Sequence, residues 1–150
     1  GPVKADAVLT DEGFKILEMA PRFHGPRGTL WMIPLALGFQ PLAAALQVLT
    51  GEGLPNNAFK PSLDMKCIYR AILPEPGRVV SISGVEEALK LPGIENIMIF
   101  ARQGGIIPDY RNSSHVPGYV FAIGDSFELA ERRLERGIST VKIETCAPGF

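Results

Sequence analysis

The tripeptide Asp11-Glu12-Gly13 divides two runs of strand-forming residues, 3–9 (VKADAVL) and 14–19 (FKILEM), and commits the start of the chain to a β-hairpin. A three-residue loop ending in glycine suits a turn whose last residue takes positive φ and forms a bulge, since glycine meets that conformation without steric cost. With those residues as the loop, Thr10 pairs with Phe14 and Asp6 falls opposite Glu18. Opposed residues share a face, with Cβ atoms about 4.5–5.5 Å apart, and like charges there repel. A cation, one shared proton or open water can each relieve the repulsion. A hard divalent ion is the functional solution, and Mg2+ held by a couple of carboxylates and phosphate oxygens is its usual form. On this register Val8 and Ile16 share the carboxylates' face, making Asp6 and Glu18 polar departures in a partly buried pattern. Lys4 shares the hairpin face with Asp6 and can neutralise it.

The segment after the hairpin, PRFHGPRGT, holds two prolines and two glycines in nine residues and reads as a loop. It carries Arg22 and Arg27. A carboxylate pair beside arginines, and glycines that let backbone approach a ligand, fits phosphate chemistry. His24 reads either as a base or substrate contact, or as a polar surface group. A helix begins within 29–37. A clearer one has Pro41 in its first turn, Leu42, Ala45, Leu46 and Leu49 on one face, and Gly51 at its close.

Residues 55–63 form a Pro/Asn-rich linker that divides a 1–54 region from a 64–150 domain. The latter reads as strand 65–73, a turn at 74–77, strand 78–82, a short helix over 84–90 stopped by Pro92-Gly93, and strand 94–101. The 102–118 loop, with Arg102, Tyr110, Arg111, Ser113 and His115, reads as structural or a lid edge. Strand 118–123 follows. Ser126 then opens a helix, with Asp125 and Glu128 in capping-box-like spacing. Gly137 stops that helix, and strand 138–144 finishes. The order ββαββαβ with tight turns predicts an α+β domain with a largely antiparallel sheet. The charged run Glu128 to Arg136 reads as a solvated helix face.

Several function classes are disfavoured. A formal net charge of −1 without a basic run gives nucleic-acid binding little electrostatic support. The most apolar stretch, Leu30 to Leu49, is broken by Pro34, Gly38 and Pro41, which argues against a membrane span. The N-terminus lacks a charged-then-apolar leader. Cys67 and Cys146 lie in no metal-binding spacing, and His24 and His115 do not cluster with them. They read as reduced thiols of a cytoplasmic protein. Neither a GxxxxGK[ST] phosphate loop nor a GxSxG elbow occurs. The chain opens at Gly1 without a methionine and runs straight into a strand, as a fragment or processed chain would.

The stretch KADAVLTDEGFKILEMAPRFHG resembles the C-terminal hairpin of the ATP-grasp superfamily, in which an acidic residue, a turn and a Glu-x-Asn-Pro-Arg-like motif hold Mg2+ against the phosphates of ATP. The twelve-residue spacing from Asp6 to Glu18 is similar to that in biotin carboxylase-like members. The resemblance implies Asp6 and Glu18 as metal ligands, with Glu18 and Arg22 facing the nucleotide. It implies Arg22 as the catalytic contact to the transferring phosphate or acyl phosphate. The loop from His24 to Thr29, with His24, Gly25, Arg27 and Gly28, would line the acceptor-substrate site. The family's Asn ligand corresponds here to Ala20, which cannot coordinate. GTLWMIPLALGFQPLAAALQVLTGE is similar to the helical stretch that follows in amino-acid ligases and carbamoyl-phosphate synthetase-like proteins. RAILPEPGRVVSISGVEEA through GYVFAIGDSFELAERRLERGISTVKIE resembles their final α+β domain.

The implied fold is the C-terminal half of an ATP-grasp domain followed by a small antiparallel α+β domain. The implied activity is an ATP- and Mg2+-dependent carboxylate-amine ligase working through an acyl phosphate on small-molecule carboxylate and amine substrates. Family members place their nucleotide-gripping lysines and adenine pocket N-terminal to this region. The isolated chain is therefore expected to be inactive without the rest of the ATP-grasp chain or a companion subunit. A homodimer is compatible with the sequence. Ala20 and the missing upstream nucleotide-gripping sequence motivate the alternative, a non-catalytic ATP-grasp-derived binding module.

Overall fold

The hairpin closes more tightly than its sequence suggests. In the computed structural model, which describes residues 1–147, β1 (Lys4–Thr10) pairs antiparallel with β2 (Gly13–Ala20), and Thr10 stands opposite Gly13. Only Asp11 and Glu12 lie between them. Thr10 Oγ1 donates to the Gly13 carbonyl at 2.9 Å and accepts from the Glu12 amide at 3.2 Å. Gly13 has the positive φ, 101°, expected of the loop glycine.

A slip of one residue should turn Glu18 away from Asp6. A second irregularity cancels it. The register shifts between Asp6 and Ala7, so Ile16 pairs with Ala7, Leu17 is left over, and Glu18 returns opposite Asp6. The expected partnership of Val8 with Ile16 is thereby corrected, since Val8 faces Lys15. By strand alternation one face carries Lys4, Asp6, Val8, Lys15, Glu18 and Ala20, and the other carries Ala5, Ala7, Leu9, Phe14, Ile16 and Met19. The carboxylates therefore lie on a polar face rather than a half-buried apolar one. Both faces are open: Phe14 is 77% exposed on one and Val8 43% on the other.

The described residues fall into two units, Gly1–Asp64 and a second from Met65 onward. In the first, a π-helical turn (Arg27–Met32) leads into α1 (Ile33–Leu37), and α2 (Pro41–Leu49) follows. Helix thus starts inside the segment read as a loop. Pro26 suits that entry because its ring holds φ at −51°, already helical. Residues 55–63, read above as a linker, are tied to the end of α1: the Ser62 amide donates to Leu37 O at 2.9 Å, and Phe59 meets Phe39 edge-on at 5.7 Å. Among the described residues no single helix is long and apolar enough to cross a membrane; the run Arg27–Leu37 and α2 would have the length together but are bent by 111°.

The second unit has two antiparallel three-stranded sheets rather than one. Strands β3 (Lys66–Ala71), β7 (Gly118–Gly124) and β5 (Ile94–Ile99) form the first, with β7 central. Strands β6 (Ile106–Ile107), β4 (Gly77–Ser83) and β8 (Lys142–Cys146) form the second. Helix α3 (Val85–Leu89) follows β4. Helix α4 (Phe127–Thr140) lies on the first sheet and buries Ala130, Leu134 and Gly137, the four- and three-residue steps of one helical face. Val120 and Ala122 meet that face, and Ile72, Val79 and Ile94 extend the same core.

Gly137 does not stop α4. The helix runs through it to Thr140 because glycine is needed there for close packing: a Cβ would stand 2.6 Å from Ile94 Cδ1 and 3.1 Å from Val120 Cγ1. The last strand accordingly begins at Lys142 rather than 138. At the other end the cap is Ser126, whose side chain accepts from the Leu129 amide at 3.2 Å; the Asp125–Glu128 box is not formed. In the 102–118 loop, Tyr110 donates to Pro74 O at 2.7 Å, and Asn112 Oδ1 accepts from the Ser114 amide at 2.9 Å. His115 Nδ1 lies 2.8 Å from the Asp109 carbonyl. Those side chains hold the loop to its own unit. Cys67 is buried in β3, where desolvation and the nearby Glu95 charge push its thiol up to about 11; Cys146 is exposed.

Candidate functional site

Period-two alternation puts Lys4 and Asp6 on one face of β1, and the bulge at Leu17 returns Glu18 and Ala20 to that face of β2. Asp6 stands opposite Glu18, and Lys4 stands opposite Ala20. The Lys4 ammonium bonds to Asp6 Oδ2 and lies 3.4 Å from Glu18 Oε1. The hydrogen bond to Asp6, reinforced by Glu18, raises the lysine's pKa above its ordinary value. Three charges therefore form one cluster of net charge minus one. Its members differ in exposure: the Lys4 side chain is 12% exposed, against 49% for Asp6 and 61% for Glu18. The sequence shows Lys4 on this face; that it reaches both carboxylates comes from the bulge, which no residue pattern marks.

Beyond β2 the chain turns, with the Arg22 amide donating to Ala20 O at 2.9 Å. The Arg22 guanidinium is exposed and donates to Phe23 O at 3.0 Å. His24, Gly25 and Gly28 make a small knot at the start of the π-helical turn. Gly28 and Thr29 donate to Gly25 O at 3.0 and 3.2 Å, and buried Thr29 donates its hydroxyl to His24 O at 2.9 Å. The His24 imidazole lies over Gly28, where a Cβ would collide with Nδ1. His24 is thus occupied in closing its own turn. Arg27 opens the π-helical turn.

Asp6 and Glu18 supply the oxygen donors that a hard divalent ion takes, with open water or phosphate to complete its shell. Ala20, beside them on the same face, offers no side-chain donor. Among the described residues no group of three His, Cys, Asp or Glu side chains is gathered to hold a metal ion.

Residues 70–145 match the family model of the L-amino acid ligase C-terminal domain 2, and they lie wholly in the second unit. The fold recurs in solved structures. An L-amino acid ligase from Bacillus licheniformis matches over 97% of this chain and 36% of its own, with 20% identity and a TM-score of 0.71. A phosphoribosylglycinamide synthetase from Anaerococcus prevotii matches over 96% of this chain and 37% of its own, with 17% identity and a TM-score of 0.81. An uncharacterized protein of Sinorhizobium fredii (strain NBRC 101917 / NGR234), y4rH, is 23% identical over 143 residues, which are 94% of this chain and 29% of that protein. The chain spans about a third of the length of the proteins it matches. The chain belongs to the L-amino acid ligase C-terminal domain 2 family.

Proposed function

We propose that this chain forms part of a longer, cytoplasmic carboxylate-amine ligase that activates its carboxylate substrate as an acyl phosphate. The γ-phosphoryl group of ATP would pass to the carboxylate, releasing ADP, and an amine would then attack the acyl carbon and expel phosphate. The observation that carries this reading is the opposition of Asp6 and Glu18 four residues ahead of Arg22. Mg2+ bound by the pair would supply charge compensation to the phosphate oxygens. Arg22, released from the Phe23 carbonyl, would donate to the transferred group as its charge develops. His24, Gly25, Arg27 and Gly28 would border the acceptor site, with Thr29 fixing the turn that presents them.

The apolar face of the hairpin supports a longer protein. Leu9, Phe14, Ile16 and Met19 are each more than half exposed, and contiguous apolar faces of that kind are surfaces made to be covered. The second reading, a binding module without catalysis, is favoured by Ala20 at the place of the family's Asn ligand and by the lack of nucleotide-gripping segments within residues 1–150.

Carboxylate-dependent release of ADP separates the two. In the longer protein, ADP should form only when ATP and a carboxylate are present, with sustained turnover requiring an amine as well, while residues 1–150 alone should release none. A longer protein that shows no ADP release across a broad panel of amino acids and small carboxylates would speak for the module.

A further inference from the structure

Lysine normally extends its ammonium into water, and only its stem is buried. Lys4 departs from that habit. On a strand whose other residues are all exposed, its side chain is drawn in to 12% exposure and bonds across the face to both Asp6 and Glu18. Its cross-strand partner is Ala20, whose methyl leaves room beside the carboxylates. The amine bonds to Asp6 Oδ2 and lies 3.4 Å from Glu18 Oε1, so it engages one oxygen of each acid.

From this geometry we infer that Lys4 is a resident cation of the site, competing with a divalent ion for Asp6 and Glu18. The inference rests on the reading of those two acids as metal ligands. Like-charge repulsion between opposed carboxylates is already relieved when Lys4 lies between them, and the pair has correspondingly less to gain from a second cation. An incoming divalent ion must either displace the ammonium or bind beside it against repulsion. Free Mg2+ should then load this hairpin poorly.

Mn2+ titration of the 150-residue chain, followed by electron paramagnetic resonance without nucleotide, tests this. Lys4→Gln should bind Mn2+ roughly tenfold or more tightly than the unsubstituted chain, since a like charge has been removed a few ångströms from the ion. Lys4→Arg keeps the charge and should bind as the unsubstituted chain does. Adding Glu18→Gln to Lys4→Gln should remove the gain, and the unchanged circular dichroism of each variant would verify folding. Equal Mn2+ affinity with and without Lys4, lost in both cases with Glu18→Gln, overturns the competing role of Lys4 and leaves the acids as ligands. No Glu18-dependent Mn2+ binding in any variant overturns both.

Discussion

Glu18→Gln in the longer protein is expected to lower carboxylate-dependent ADP release by at least roughly a hundredfold, above the ~10–100-fold typical of groups that only support metal ligands. The substitution keeps the shape of the side chain and replaces one anionic donor by an amide. Glu18 is 61% exposed and its side chain meets Lys4 at 3.4 Å, so the hairpin itself should hold. The effect should therefore appear as lost turnover and a raised Mg2+ requirement, with thermal stability nearly unchanged, because exposed ion pairs contribute only about 0–1 kcal/mol. Asp6→Asn should behave alike. The double variant should cost little more than either single one, as expected of two groups acting on one ion. Turnover within threefold of the unsubstituted protein for both single variants would remove the pair from the mechanism.

The second large effect concerns stability. Leu134→Ala should destabilise the second unit by about 2–5 kcal/mol, the range for truncating a buried leucine. Leu134 is 1% exposed and sits in the core with Val120 and Ala122 of β7 and with Ile94. Removing its isobutyl group leaves a cavity where α4 meets the sheet, and Gly137, one turn on, has no side chain to fill it. Domains of this size are stable by only about 5–15 kcal/mol, so a large share would be lost. Urea denaturation followed by circular dichroism measures it, with Leu89→Ala as control. Leu89 is 44% exposed, and its truncation should cost clearly less. Equal midpoints for the two variants would contradict the assignment of the α4–β7 contact as the core of this unit.

The hairpin was legible because period-two alternation is a strong local pattern and a glycine after two acidic residues marks a turn. The structure sets Asp6 opposite Glu18, as a three-residue loop predicts, but through a different register. The loop is one residue shorter than expected, and Leu17 is one residue extra, so the two deviations cancel at Asp6. Neither is visible in residue types: the loop length is decided by the Thr10 hydroxyl closing on Gly13, and nothing about Leu17 distinguishes a bulge from a regular strand residue. The α+β class and the antiparallel pairing followed from the order of elements. The end of α4 did not, because a glycine that terminates a helix and one that admits a neighbouring side chain look the same until the neighbour is known. Strand β6 was hidden for a related reason, since its two isoleucines in a Gly/Pro-rich loop gain strand character only from pairing with β4. In PRFHGPRGT, the second proline marks a helix entry rather than continued loop, and Thr29 secures it from inside.

The claim that most of this account depends on is that Asp6 and Glu18 share a divalent cation with bound nucleotide. Diffraction from crystals of the longer protein grown with Mn2+ and a non-hydrolysable ATP analogue, collected at the manganese edge, addresses it directly. The account predicts an anomalous peak within coordination distance, roughly 2–2.3 Å, of one oxygen from each carboxylate and of a phosphate oxygen. A nucleotide bound with its manganese elsewhere, and Lys4 still lying between Asp6 and Glu18, would contradict it.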